Sequence, residues 1–151
     1  MLGMLNRDQI DQLLRSEAIG RLGCHANRRT YVVPVTYVYD GTAIYGHSGD
    51  GLKLRMMRAN PNVCFEVDHV DTMASWQSVI AWATFEELRG PAAQHAMHLL
   101  VNRLMPLIAG TPPMPTEGVG ETDRYRIELA DGQAVIYQLN IVEITGRFEQ
   151  R

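Results

Sequence analysis

From Thr30 to His47 the chain reads "TYVVPVTYVYDGTAIYGH". Two runs dense in β-branched and aromatic residues flank the turn Asp40-Gly41-Thr42. Runs of this composition form strands, and a turn this short sends the second run back against the first. An antiparallel β framework is therefore written into the first third of the chain. Pro34 has no N–H to give to a ladder, so its strand is expected at an edge, at a bulge, or where a ligand approaches.

The other segments fit that framework. "AIGRLGCHA" is apolar and glycine-spaced, "NVCFEVDHV" alternates Val63, Phe65 and Val67 with polar residues, and "WQSVIAWATFEEL" makes a longer strand. Near the end, Val135, Tyr137, Leu139 and Ile141 alternate before Val142 and Ile144 take the opposite parity, which predicts a bulge or a change of face. Helical signals are fewer. Asn6 caps "RDQIDQLLRS", whose Ile10, Leu13 and Leu14 share one face. "LKLRMMRAN" is stopped by Pro61, and "PAAQHAMHLLVNRLMPLIAG" opens on Pro91 and closes on Gly110. "TPPMPTEGVGETD" is a Pro/Gly-rich loop. Strict strand–helix alternation is missing, which argues against a doubly wound parallel sheet. The expected fold is mainly β: one domain over residues 1–151, a small antiparallel barrel with peripheral helices.

Composition narrows the function. A net charge of −3 and a pI near 5.9 argue against a nucleic-acid partner, which needs a basic face. No apolar run approaches the ~20 residues of a membrane span, and the charged start "MLGMLNRDQIDQLL" does not resemble a secretion signal. Cys24 and Cys64 are too few and too far apart for a disulfide framework or a CxxC site. The simplest expectation is a cytoplasmic protein with reduced thiols.

One segment invites chemistry. "GHSGDGLK", Gly46 to Lys53, leaves a strand and enters a helix, and Lys53 is the only lysine beside thirteen arginines. The first amides of a helix lack intrahelical partners and sit at the positive end of its dipole, so a phosphate suits the place. Ser48 adds a hydroxyl and Lys53 a charge. The spacing is not that of a nucleotide-triphosphate loop, because Leu52 stands where its lysine belongs and no Ser or Thr follows Lys53. A plainer reading also fits: glycines are common at such turns, and Asp50 is an acceptable N-cap.

In order, "AIGRLGCHANRRTYVVPVTYVYDGTAIYGHSGDGLKLRMMRANPNVCFEVD", "WQSVIAWATFEEL" and "IVEITGR" resemble the pyridoxamine 5′-phosphate oxidase-like flavin-binding split barrels, nearest their nitroimidazole-resistance (Nim-type) subgroup. The likeness covers residues 10 to 90 and, more loosely, the last fifteen or so. It implies a six-stranded antiparallel split barrel and a homodimer with FMN in a cleft between subunits. Val35, Thr36 and Tyr37 would lie beside the ring, His47, Ser48 and Lys53 at the phosphate, and Ser78 and Val79, with Trp76, at the ring from the other side. His47 is also the candidate reactive group, since imidazole can carry a proton near neutral pH, or it only steadies the loop.

The chain departs from true pyridoxamine-phosphate oxidases. Its "YVVPVT" strand lacks their arginine and lysine, Gly51 and Leu52 precede its lysine, Ala83 replaces a frequent glycine, and the end reads "TGRFEQR". Vitamin B6 oxidation is therefore not expected. The resemblance implies an FMN-dependent oxidoreductase, charged by a reductant such as a nicotinamide and acting on a small or xenobiotic substrate. The alternatives are a non-catalytic flavin- or haem-binding module and a deazaflavin-dependent reductase. His95 and His98, spaced i and i+3, lack a third ligand at useful spacing and are expected on a solvated or packed helix face, and no metal is expected. Cys24 and Cys64 are expected as small core residues, Trp76 and Trp82 on one strand face, and the methionines from Met97 to Met114 in helix packing.

Overall fold

The computed structural model describes residues 1–109 and 134–151; the loop expected at 111–123, Gly110 and Met114 lie outside them. Among the described residues eleven elements follow in order: β1 (Leu2–Met4), α1 (Arg7–Ser16), β2 (Ile19–Ala26), β3 (Arg29–Thr36), β4 (Val38–Tyr39), β5 (Ala43–Ser48), α2 (Leu52–Ala59), β6 (Asn62–Thr72), β7 (Ser75–Glu87), α3 (Gly90–Ala109) and β8 (Val135–Gln150). All pairings are antiparallel. The sheet runs β3-β2-β6-β7-β8-β5-β4, with β1 added beside β8.

The strand count is eight among the described residues, where six were expected. Six long strands carry the curl. The two additions are short flanking pieces, β1 of three residues and β4 of two. The long run is interrupted at Tyr37, between β3 and β4. The Tyr37 side chain turns into the core, only 1% exposed, and its hydroxyl donates to the Leu14 carbonyl of α1 at 2.7 Å. Before this residue the chain pairs with β2, and after it with β5. Pro34 lies on β3, at one end of the sheet, as its missing N–H requires.

Two hydrophobic clusters follow. The inner one takes Leu22 and Cys24 from β2, Val35 from β3, Phe65 and Val67 from β6, Val79, Ala81 and Ala83 from β7, and Tyr137 and Leu139 from β8. α1 closes it with Ile10, Leu13 and Leu14, and α2 with Met56 and Met57. α1 starts on a complete capping box, in which Asn6 accepts from the Gln9 amide and Gln9 from the Asn6 amide. The second cluster packs Ala96, Leu100 and Leu104 of α3 against Ala43 and Tyr45 of β5 and Ile136 of β8. β5 is thus buried on both faces within one chain.

The parity change in β8 is a bulge. Ala83 pairs with Ile141 and Trp82 with Glu143, leaving Val142 as the extra residue, 75% exposed. Before it Tyr137 and Leu139 face the core, and after it Ile144 and Phe148 do.

Candidate functional site

The segment from β5 to α2 is set by strong local interactions. Asp40 begins the β4–β5 turn: its Oδ1 accepts the Thr42 and Ala43 amides at 2.8 Å, and its Oδ2 accepts the Tyr45 hydroxyl at 2.9 Å. Burial alone would raise the Asp40 carboxyl, but these donors outweigh it and hold the group below its ordinary value. Burial and the same contact push the Tyr45 phenol up to about 12. Along β5, Gly46 faces Tyr137, whose ring and hydroxyl occupy the space a Cβ would take.

Ser48, 3% exposed, donates its Oγ–H to the Gly49 carbonyl at 2.7 Å. It shares the inner face of β5 with Ile44 and Gly46. His47 pairs with Ile136 on the opposite, α3-facing side. The two residues expected to act together at a phosphate therefore project to different sides of one strand.

α2 begins at Leu52 with Gly51 as N-cap, no side chain capping it and no acidic residue in its first turn. Asp50 stands one residue too early, so the plain capping reading fails here. The first amides of α2, beside Lys53, receive no side-chain cap. Lys53 reaches toward β2: burial pushes the Cys24 thiol up, and the Lys53 ammonium pulls it back. The other end of α2 is pinned. Arg58 grips Glu87 of β7 with two hydrogen bonds, 2.9 and 3.1 Å, and Asn60 donates to the His25 carbonyl at 2.8 Å. An uncapped helix start with no acidic residue in its first turn can accept an anionic oxygen cluster.

The remaining expected residues separate into two groups. Val35, Tyr37 and Val79 put their side chains into the inner cluster, and Tyr37 already spends its hydroxyl on Leu14. Thr36, Trp76 and Ser78 lie on the outer sheet face by register. His95 and His98 lie on exposed turns of α3, His98 within 3.0 Å of Asn102, and no metal-binding cluster occurs among the described residues. Cys24 is buried as expected; Cys64 is not a core residue. It sits half-buried on the outer face, opposite Gly23 and Trp82.

That outer face holds groups the sequence reading passed over. A trough of about 450 Å³ lies there, lined among others by Gly23, Val32, Cys64, Glu66 and Trp82. Glu66 is pushed up to about 7, first by burial and then by Asp68, against Arg21 and a 3.3 Å hydrogen bond from Ser78. Strict alternation between Val63, Phe65 and Val67 marked Glu66 only as a polar partner. Its pairing with Arg21 of β2 is a long-range fact with no local signal.

The family pattern of pyridoxamine 5′-phosphate oxidase matches residues 6–147. The chain belongs to that family. An uncharacterized protein of Rhizobium meliloti (strain 1021) is 30% identical over 95 residues, which is 63% of this chain and 62% of that protein. The match thus spans less than two thirds of the relative's length. Among solved structures, a FAD-binding protein from Mesorhizobium loti superposes with a TM-score of 0.78 at 23% identity, covering 100% of this chain and 98% of that one. A candidate 5-nitroimidazole antibiotic resistance protein from Bacteroides thetaiotaomicron gives 0.70 at 17% identity, covering 98% and 87%. These likenesses establish the split-barrel fold of the family for this chain.

Proposed function

We propose that this family member is a flavin-binding oxidoreductase acting as a homodimer, with the flavin phosphate held at the β5–α2 turn. One observation carries the reading: the start of α2 has no side-chain cap and no acidic residue in its first turn, and the only lysine of the sequence stands in that turn. Anions favour this position. The amides of Leu52 to Leu54 and the Lys53 ammonium would hold the phosphate, and Ser48, close by on β5, would give its hydroxyl to it in place of the Gly49 carbonyl. The flavin would supply the electron chemistry, and the protein its position and electrostatics.

Around the ring, Thr36, Trp76 and Ser78 offer side chains from the outer face. Val35, Tyr37 and Val79 would contribute through strand backbone, since their side chains belong to the core. His47 holds a transferable proton at its imidazole and is the candidate proton carrier to a small or xenobiotic substrate, with a nicotinamide as reductant.

FMN is the favoured cofactor because a single helix start matches one terminal phosphate. The Mesorhizobium loti protein binds FAD, so both flavins belong in the test. The experiment is an absorption spectrum of the purified protein with mass identification of any released cofactor, followed by FMN and FAD titrations. Flavin bands support the reading. A deazaflavin or haem spectrum would redirect the chemistry, and a colourless protein that takes up neither flavin would end it. Lys53→Ala should weaken FMN binding by about 1.5–3 kcal/mol, the scale of a charged hydrogen bond; unchanged affinity would reject the phosphate assignment. His47→Ala should keep the flavin and alter turnover with nicotinamide. Reduction and reoxidation of bound flavin separates an enzyme from a storage or sensing module.

A further inference from the structure

Reducing a small acceptor consumes protons as well as electrons, and the outer sheet face needs a group that can supply them. Thr36, Trp76 and Ser78, the side chains offered there, release no proton near neutral pH. His47 is remote from Ser78 along the sheet: it pairs with Ile136 at one end of β8, whereas Ser78 pairs with Arg147 at the other.

One acid stands beside Ser78. The Ser78 Oγ–H donates to Glu66 Oε1 at 3.3 Å. Phe65 and Val67 point into the core, so Glu66 and Asp68 share the outer face of β6, with Arg21 opposite Glu66 in register and Ser78 opposite Asp68. Two carboxyls thus meet a single arginine, and its guanidinium lies 3.8 Å from Asp68. Among the described residues Glu66 forms no ion pair. Of the two acids it is Glu66 that lines the apolar trough, beside Cys64 and Trp82. A half-buried carboxyl with a neutral donor on one side and a second carboxyl on the other keeps its proton well above the usual carboxylate range, in line with its rise to about 7.

We propose that Glu66 is the proton donor of the outer face, passing the proton of its carboxyl to the substrate reduced beside Ser78. The inference rests on the flavin reading above and adds to it a second proton-holding residue. The step balances: the nicotinamide gives up a hydride, the acceptor gains that hydrogen and its two electrons, and the Glu66 O–H bond breaks to neutralise the product. The carboxylate left behind is steadied by the Ser78 hydroxyl and the Arg21 charge until water returns the proton. A donor that titrates near the working pH can both give and regain its proton. The groups that face it are Arg21 of β2, Cys64 and Asp68 of β6 and Ser78 of β7, with Arg147 of β8 beyond Ser78.

The test compares the full chain with Glu66→Gln, both loaded with FMN. Infrared titration should show a protonated-carboxyl C=O band in the wild type that fades as the pH passes about 7 and is absent from the variant. Stopped flow then follows reoxidation of the dithionite-reduced protein by menadione over the same range. The wild-type rate should fall as the band fades, and Glu66→Gln should be about a hundred-fold slower, the low end for a lost general acid, with no pH dependence in this window and FMN affinity unchanged. Asp68→Asn, which removes the neighbouring charge, should move both the band and the rate profile to lower pH, and it serves alone where Glu66→Gln does not fold. A band that titrates in the usual carboxylate range, or variants that keep the wild-type profile, overturn the proposal. FMN titration keeps the two readings apart: flavin-binding variants with an unaltered profile remove Glu66 and leave the phosphate site standing, whereas a wild type that takes up no flavin ends the flavin reading and this inference with it.

Discussion

An added methyl group at Gly46 would run into the ring and hydroxyl of Tyr137, which is 1% exposed and packed between β5 and Phe85. Gly46→Ala should therefore destabilise the protein by about 1–3 kcal/mol, the usual penalty for overpacking a closed core, read as a lower midpoint in urea unfolding. Gly23→Ala is its control and should leave the midpoint within about 0.5 kcal/mol of wild type, as a surface change does. The sequence shows both residues as strand glycines. Only the neighbour a Cβ would meet separates them, an aromatic ring too close to admit it in one case and ordinary contact with Cys64 in the other. Lys53 was more legible. Its place after a glycine-rich turn and before an amphipathic run is local information, and the dipole argument needs nothing more. Ser48 and His47 were less so, because adjacency in sequence hides that neighbours on a strand face opposite ways.

At the scale of elements, β8 depends on one inserted residue. Deleting Val142 would join two stretches that each point correctly into the core and put Ile144, Gly146 and Phe148 on the wrong side, since a one-residue slip reverses every side chain. The deletion should abolish cooperative unfolding, whereas Val142→Thr, at an exposed site, should be nearly silent; thermal melts of the two variants decide this. The bulge was visible in the sequence because the parity changes within one strand. The break at Tyr37 was not, because "YVVPVTYVYD" keeps its strand composition straight through it. At the break, the Tyr37 hydroxyl donates to the Leu14 carbonyl, twenty-three residues earlier. Tyr37→Phe should lose about 1 kcal/mol, the net value of one such bond, measured by chemical denaturation. The double-sided burial of β5 was likewise open in sequence. Apolar residues on both parities require two covers, and for β5 the second is α3, while the face of β6 and β7 bearing Glu66 and Trp82 has none among the described residues.

Across the whole molecule, the outer face links proton binding to stability. Glu66, ordinarily near 4.5, is raised to about 7 by burial and by Asp68, with Arg21 and Ser78 opposing. A raised acid binds protons more tightly when folded than when unfolded, so its contribution is full below 4.5 and is lost as the pH rises through about 7. The melting temperature of the wild type should fall across that window relative to Glu66→Gln, which carries no titrating proton; parallel curves for the two would refute the assignment. His69 adds a slope of the same sign at higher pH. Asp71 and Glu17 raise it above its ordinary 6.5, so the stability it contributes is present below that value and is lost as the pH climbs past its raised one. Finally, β8 is the strand on which β1, β5 and β7 all close. It is also the last strand of this sheet to be synthesised. Until residues 135–150 emerge, β5 and β7 each present a raw edge, and partners separated by nearly the whole chain must wait to meet. Synthesis of this protein therefore passes through a long interval in which sticky half-sheets are exposed, and the cell's chaperones, rather than the finished sheet, must guard it during that time.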